Sequence, residues 1–112
     1  MTQATERRRE PRFRVNQPVA LTIYLPARTR STTGGIYDIS EHGVSFTVPR
    51  PLDPGVSLTV EYEGCLVRGE VRHCRVRQYA RQRQYLVGVA VTKVLQGEET
   101  WRLLIEQCCA GA

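Results

Sequence analysis

The sequence has almost no lysine and no long apolar run. Fifteen of its sixteen basic residues are arginine, and Lys93 is the exception. No apolar stretch approaches the roughly 18 residues that a membrane-spanning helix needs, and residues 1–9 contain no apolar segment typical of a signal peptide. We therefore expect a cytoplasmic protein that does not insert into a membrane.

The sequence also lacks the paired Cys-x-x-Cys spacing that is typical of zinc sites. Its four cysteines are Cys65, Cys74, Cys108 and Cys109. Adjacent Cys108 and Cys109 are poorly placed to bind one zinc ion together. We interpret the cysteines as reduced structural thiols and expect neither a metal nor a cofactor.

The composition is otherwise that of one globular domain. The chain has 112 residues, of which 41% are hydrophobic and 24% charged, and two domains would each have only a small core. The formal net charge is +5. Because arginine presents a planar fork of donors that binds phosphate and stacks on bases, the sequence indicates an anionic or planar partner.

Short runs of alternating apolar and polar residues predict β-strands. One strand is expected shortly before Asp38, and five more follow from apolar residues at every second position: Val19 to Leu25, Val44 to Val48, Val56 to Tyr62, Val67 to Val71, and Tyr85 to Val91. Turns are predicted at Gly34-Gly35, at residues 49–55 and, as a tight hairpin, at Glu63-Gly64. With no helix between the strands, residues 15–96 are predicted to form a six-stranded antiparallel β-barrel.

The last part of the chain changes to a helical period. Glu98 and Glu99 suit the positive N-terminal end of a helix dipole, and the apolar residues at helical spacing are Trp101, Leu104, Ile105 and Cys108. Residues 97–112 are therefore predicted to form an amphipathic helix. We expect its apolar face to pack on the barrel, with a dimer contact as the alternative.

Two stretches concentrate the positive charge. Residues 1–14 have almost nothing apolar and carry five arginines, namely Arg7, Arg8, Arg9, Arg12 and Arg14, so we interpret them as a flexible basic arm. Residues 72–83 contain several more arginines and no acidic residue, and we interpret them as a long hairpin tip. Taken alone, a basic arm is typical of a solvated tail or of a nonspecific polyanion binder.

A second motif lies between two predicted strands, at residues 38–43. At a strand end, Asp38 and Ser40 point the same way while Ile39 points into the core. A carboxylate can accept hydrogen bonds from the N1–H and amino group of guanine, a serine can donate or accept, and Gly43 permits a turn or the close approach of a ligand. The alternative interpretation is an ordinary Asp or Ser turn that caps a hairpin.

These residues resemble the paired signature of PilZ domains. Arg8 and Arg12 match its first part, and Asp38, Ser40 and Gly43 match its second part at every position. The resemblance implies a PilZ-type six-stranded barrel that binds the bacterial second messenger cyclic di-GMP. It further implies that the two arginines contact phosphates and guanines, and that the second group recognises a guanine.

The resemblance also implies a stoichiometry and a mode of action. In the family, an arginine directly before the first motif arginine accompanies an intercalated ligand dimer, and Arg7 holds that place. We expect ligand binding to order the basic arm and to create a face for a downstream protein partner. We expect no enzymatic activity, because Asp38, Ser40 and His42 lie within five residues of one another and cannot easily form a catalytic triad.

Two other functions remain open on the sequence. A basic barrel could bind single-stranded nucleic acid through Arg75, Arg77 and Arg81, with Tyr79 and Tyr85 stacking on bases, although the paired signature favours the cyclic dinucleotide. The chain could also be a ligand-independent adaptor that binds proteins through its helix.

Overall fold

A computed structural model of the protein describes residues 17–79 and 81–109. Its elements are β1 (Pro18–Leu25), β2 (Arg28–Ile39), β3 (Gly43–Val48), β4 (Ser57–Tyr62), β5 (Cys65–Tyr79), β6 (Gln82–Gln96) and α1 (Glu98–Cys109). Each strand is antiparallel to its neighbours, and the sheet closes into a barrel in the order β1-β2-β3-β6-β5-β4. The predicted fold class, a six-stranded antiparallel barrel with a C-terminal helix, is confirmed.

The inward-facing residues of the strands form one apolar core. Alternation along β1 buries Val19, Leu21 and Ile23, as the sequence pattern predicted. Helix α1 contacts β2, β5 and β6, and it contributes Trp101 to the core while its partly buried apolar residues lie against that core. No helix in the described ranges is long and apolar enough to span a membrane.

The turn predicted at Gly34-Gly35 is wrong, because both glycines lie inside β2. The chain turns instead between Leu25 and Arg28, where β1 and β2 meet as a hairpin. A Cβ atom at Gly34 would lie 2.7 Å from the carbonyl oxygen of Thr47 on β3. This glycine therefore allows two strand backbones to approach closely, which is a second common reason for glycine in a sheet.

The long hairpin tip predicted for residues 72–83 is also wrong in its extent. Strands β5 and β6 stay paired as far as Tyr79 and Gln82, so this arginine-rich stretch is a two-stranded ribbon with a very short tip. Val76 on the ribbon is 58% exposed. Beyond Val76 and Tyr85, β5 and β6 pair only with each other, so the far end of the ribbon is held by its ladder of backbone hydrogen bonds rather than by a buried side-chain face.

The tight hairpin predicted at Glu63-Gly64 is confirmed. Both residues have positive φ, 54° and 81°, as a two-residue turn of the mirror-image type I requires. The next residue, Cys65, is buried, and its thiol lies 3.5 Å from the carbonyl oxygen of Gly97 just before α1. Burial, with a smaller contribution from Glu63, raises the pKa of the Cys65 thiol and keeps it protonated.

The antiparallel order places alternate connections at opposite ends of the barrel. The β2–β3 and β4–β5 turns and the start of α1 lie at one end. The β1–β2, β3–β4 and β5–β6 connections lie at the other end, which we call the arginine end because Arg28, Arg50 and Arg81 lie in or next to these connections.

Candidate functional site

The site begins with the turn between β2 and β3. The backbone N–H of Ser40 donates to the carbonyl of Gly43 over 2.8 Å, and the Ser40 hydroxyl donates to the same carbonyl over 3.3 Å. The Ser40 side chain therefore helps to close the hairpin, as the alternative interpretation supposed, but it does so as a donor to a carbonyl. This hydrogen bond uses the single hydroxyl proton of Ser40 and leaves the lone pairs of that oxygen able to accept a hydrogen bond.

A β-bulge between Ile36 and Asp38 decides which side chains of β2 face outward. Ile36 and Ile39 are both buried, whereas Tyr37 and Asp38 between them are both exposed. A regular strand would alternate strictly and would turn Asp38 inward. The bulge therefore places the Asp38 carboxylate on the outer face of the barrel, on the same side as Ser40.

A row of paired residues continues from Asp38 across three more strands. Asp38 pairs with Ser45 on β3, Ser45 pairs with Gly88 on β6, and Gly88 pairs with His73 on β5. A Cβ atom at Gly88 would collide with the His73 ring. The imidazole of His73 therefore lies directly over the Gly88 backbone, and the missing side chain of Gly88 provides the space for it.

This row forms the floor of an open pocket of about 370 Å³ on the outer face of the barrel. We call it the outer-face pocket. It gathers residues of the β2–β3 turn on one side and residues of β5 and β6 on the other, namely Tyr37, Asp38, Ser40, His42, Gly43, Val44, Ser45, Arg72, His73, Arg75, Leu86, Gly88, Val89 and Ala90.

The outer-face pocket presents both signs of charge. No described cation lies within ion-pair distance of Asp38, so its carboxylate is free to accept hydrogen bonds from a ligand. Arg72 and Arg75 line the pocket from β5. Among the described residues, Arg72 pairs only with Glu70, in an exposed ion pair at 3.7 Å. Such a pair contributes little energy and exchanges readily for a better partner.

Gly43 has a role that the sequence did not reveal. Its φ is not in the positive range, so the turn itself does not demand glycine at this position. A Cβ atom here would instead collide with the carbonyl oxygen of Val89 on β6. Gly43 thus lets β3 lie close to β6, and this contact fixes the β2–β3 turn beside the pocket.

Tyr37, the residue at the bulge, links the turn to the arginine-rich ribbon. The guanidinium of Arg77 lies over the Tyr37 ring, 4.8 Å from its centre, which is a cation–π geometry. The arginines proposed for nucleic-acid binding therefore divide, because Arg75 lines the outer-face pocket while Arg77 stacks on a neighbouring aromatic ring.

The structure brings together three of the six predicted site residues, Asp38, Ser40 and Gly43. The other three, Arg7, Arg8 and Arg12, lie outside the described residues, as does the whole predicted basic arm of residues 1–14. The predicted ligand contacts of all six remain predictions. Among the described residues, no group of three or more His, Cys, Asp or Glu side chains is arranged as metal ligands would be.

Sequence reasoning missed the residues that β5 contributes to the pocket, namely Arg72, His73 and Arg75. One signal for them was present in the sequence. A glycine inside a strand often marks a site where another group approaches closely, and Gly88 lies within an otherwise apolar run. The pairing of Gly88 with His73, however, depends on a register shift in β5 that the sequence does not display.

Comparison with known protein families gives one match. The family model of the PilZ domain matches residues 6–111, which is nearly the whole chain. No curated protein and no solved structure matches the chain significantly.

Proposed function

Because the chain belongs to the PilZ domain family, whose members are cyclic di-GMP receptor domains rather than enzymes, we propose that it binds cyclic di-GMP in the outer-face pocket and signals to a partner protein without catalysis. One observation carries this proposal. The outward-facing Asp38 and Ser40 lie on one side of a pocket whose other side holds Arg72 and Arg75.

The chemistry of the turn suits the edge of a guanine. The N1–H and the amino group of guanine are neighbouring donors, and a carboxylate accepts both. The Asp38 carboxylate has no described ion-pair partner to displace, and the Ser40 oxygen retains its lone pairs beside it. In this proposal Asp38 is the main acceptor for the guanine, and Ser40 is a second acceptor.

The phosphates of the ligand require cations from more than one direction. Arg72 and Arg75 offer guanidinium groups from β5, and we propose that Arg8 and Arg12 supply others from the N-terminal arm. Each charge-assisted hydrogen bond contributes about 1.5–3 kcal/mol. Two such contacts offset the ordering of only a few residues, at about 1–2 kcal/mol per residue, so ordering the arm also requires stacking and further hydrogen bonds to the ligand.

The arm starts at a suitable place. The carbonyl of Gln17, the first described residue, accepts a hydrogen bond from the N–H of Ile36 over 2.8 Å, and Ile36 lies two residues before Asp38. Arg12 precedes Gln17 by five residues, so an extended chain could carry it about 17 Å from that point. This reach includes the outer-face pocket, which supports contacts from Arg8 and Arg12 to a ligand held there.

We propose further that the ligand orders the arm. Five arginines within residues 7–14 repel one another, and the phosphates of the ligand would neutralise them. Hydrogen exchange measured with and without cyclic di-GMP should show increased protection across residues 5–14. Unchanged protection in a sample that binds the ligand would refute the ordering step and leave binding itself intact.

Calorimetric titration with cyclic di-GMP tests the central proposal, with cyclic di-AMP and GTP as comparison ligands. We expect cyclic di-GMP to bind and the two comparison ligands not to bind. If Arg7 supports an intercalated dimer, the titration should give two cyclic di-GMP molecules per chain. Arg12→Ala should weaken binding about 10- to 150-fold, the loss of one charge-assisted contact. Arg14→Ala, which removes the same charge from the same segment, should change the affinity less than about threefold.

Absence of binding to cyclic di-GMP would reject the receptor proposal. Equal losses of cyclic di-GMP affinity for Arg12→Ala and Arg14→Ala would show that the arm contributes only nonspecific positive charge. Tight binding of oligothymidylate with a steep salt dependence, abolished by neutralising Arg75, Arg77 and Arg81, would instead support the nucleic-acid function.

A further inference from the structure

The arginine end of the barrel contains a second cavity, of about 340 Å³. We call it the arginine-end cavity. It lies between the first two strands and the start of the β3–β4 connection, and its lining residues are Ile23, Arg30, Ser31, Thr32, Val48, Pro49, Arg50 and Leu52. It shares no lining residue with the outer-face pocket.

Two guanidinium groups border this cavity above an apolar floor. Arg30 pairs with Ile23 across the β1–β2 ladder, so both side chains leave the sheet on the same face. Ile23 is completely buried, and Leu52 closes the floor from the β3–β4 connection. Arg30 is therefore directed over the barrel opening, and exposed Arg50 lines the cavity with it.

Neither guanidinium is neutralised within the part of the chain that the structure describes. Arg30 and Arg50 form no ion pair with any described carboxylate. The cavity lining contains no acidic residue, and residues 71–97, which include the neighbouring ribbon, contain none either. Two unpaired arginine forks at one cavity form a ready site for oxygen anions.

We propose that the arginine-end cavity binds an acidic segment of a partner protein, with carboxylates on Arg30 and Arg50. The lining offers no acceptor like Asp38 for a base edge and no aromatic ring for base stacking, so it does not suit a nucleotide or a nucleic acid. Its hydroxyls and apolar floor suit a peptide backbone and a small side chain. This surface is independent of cyclic di-GMP binding.

Fluorescence anisotropy with a short labelled peptide of alternating glutamate and alanine tests the proposal. We expect the double variant R30Q/R50Q to weaken peptide binding about tenfold or more. The matched variant R68Q/R102Q removes the same charge from exposed positions outside the cavity, and it should weaken binding less than about twofold. A second variant, Arg50→Glu, changes an exposed residue and should also weaken peptide binding about tenfold or more if the proposal is correct.

Three outcomes would overturn the proposal. The first is that the wild-type protein does not bind the peptide. The second is that R30Q/R50Q and R68Q/R102Q weaken peptide binding equally, which would mean that binding depends only on net charge. The third is that oligothymidylate binds more tightly than the peptide and loses affinity with R30Q/R50Q. Titration of R30Q/R50Q with cyclic di-GMP should give the wild-type affinity, so failure of either proposal is visible without the other.

Discussion

Two cavities of similar volume, about 370 and 340 Å³, open at different places on one small barrel. The outer-face pocket combines the acceptors Asp38 and Ser40 with guanidinium donors, whereas the arginine-end cavity has cationic side chains and no acidic one. A site with both donors and acceptors can distinguish one base edge from another. A site with cations alone selects a partner by its negative charge, which suits an acidic protein segment.

The largest expected difference between the two regions is in the response to loss of a carboxylate. Asp38→Ala should lower the affinity for cyclic di-GMP about 10- to 150-fold, because it removes the acceptor for the guanine edge. Asp53→Ala, at an exposed position in the β3–β4 connection, should leave the affinity within about twofold. Calorimetry measures both. An affinity that is unchanged or higher in Asp38→Ala would show that the carboxylate does not hold the ligand, because loss of a negative charge by itself favours binding of an anion.

A second contrast concerns the rigidity of the β2–β3 turn. Gly43→Ala should reduce the free energy of unfolding by about 1–3 kcal/mol, because the new Cβ collides with the Val89 carbonyl and forces β3 away from β6. Ser40→Ala removes only an exposed hydrogen bond and should cost less than about 0.5 kcal/mol. Urea unfolding measures both; a stable Gly43→Ala variant would show that the two strands separate without strain.

A smaller difference in cyclic di-GMP affinity is expected between substitutions of the two histidines near the turn. His73 lies on the pocket floor over Gly88, so His73→Ala should lower the cyclic di-GMP affinity about threefold to tenfold through loss of a flat surface for a base. The His42 side chain also lines the pocket but is 91% exposed, and His42→Ala should change the affinity less than about twofold. The reverse order in calorimetric titrations would exclude His73 from the ligand surface.

The smallest expected effect is the coupling between Tyr37 and Arg77. A double-mutant cycle with Tyr37→Ala and Arg77→Ala should give a coupling free energy of unfolding of about 0.5–1 kcal/mol, as is usual for exposed cation–π pairs. No measurable coupling would show that the ribbon and the β2–β3 turn are energetically independent. Arg83→Ala, on the same ribbon but away from the ring, serves as the control.

The sequence was informative where one face of a strand is buried. Val19, Leu21 and Ile23 alternate with the outward-facing Ala20 and Thr22 because the core accepts only every second side chain, so β1 was predictable. The far end of the ribbon was not, since beyond Val76 and Tyr85 the two strands pair only with each other and no core imposes a period. Gly34 was misassigned because glycine serves close backbone contact as well as turns.

The candidate site was predictable only on its local side. Asp38, Ser40 and Gly43 lie within one turn, and their spacing is visible in the sequence. Arg72 and His73 enter the same pocket through the register of β5 on β6, which shifts between Val71 and His73. A register shift of this kind depends on the packing of the whole sheet and leaves no clear pattern in the sequence.

The irregularity at Tyr37 has a practical consequence for protein engineering. If residues 38–43 were transplanted into the hairpin of another protein, for instance to build a biosensor, they would follow the regular inward and outward alternation of side chains in the host strand. A shift of one residue there would bury the Asp38 carboxylate and expose Ile39. The smallest portable cassette is therefore the segment from Ile36 to Gly43 with its extra residue included, together with a recipient strand that tolerates a backbone as close as that of Val89.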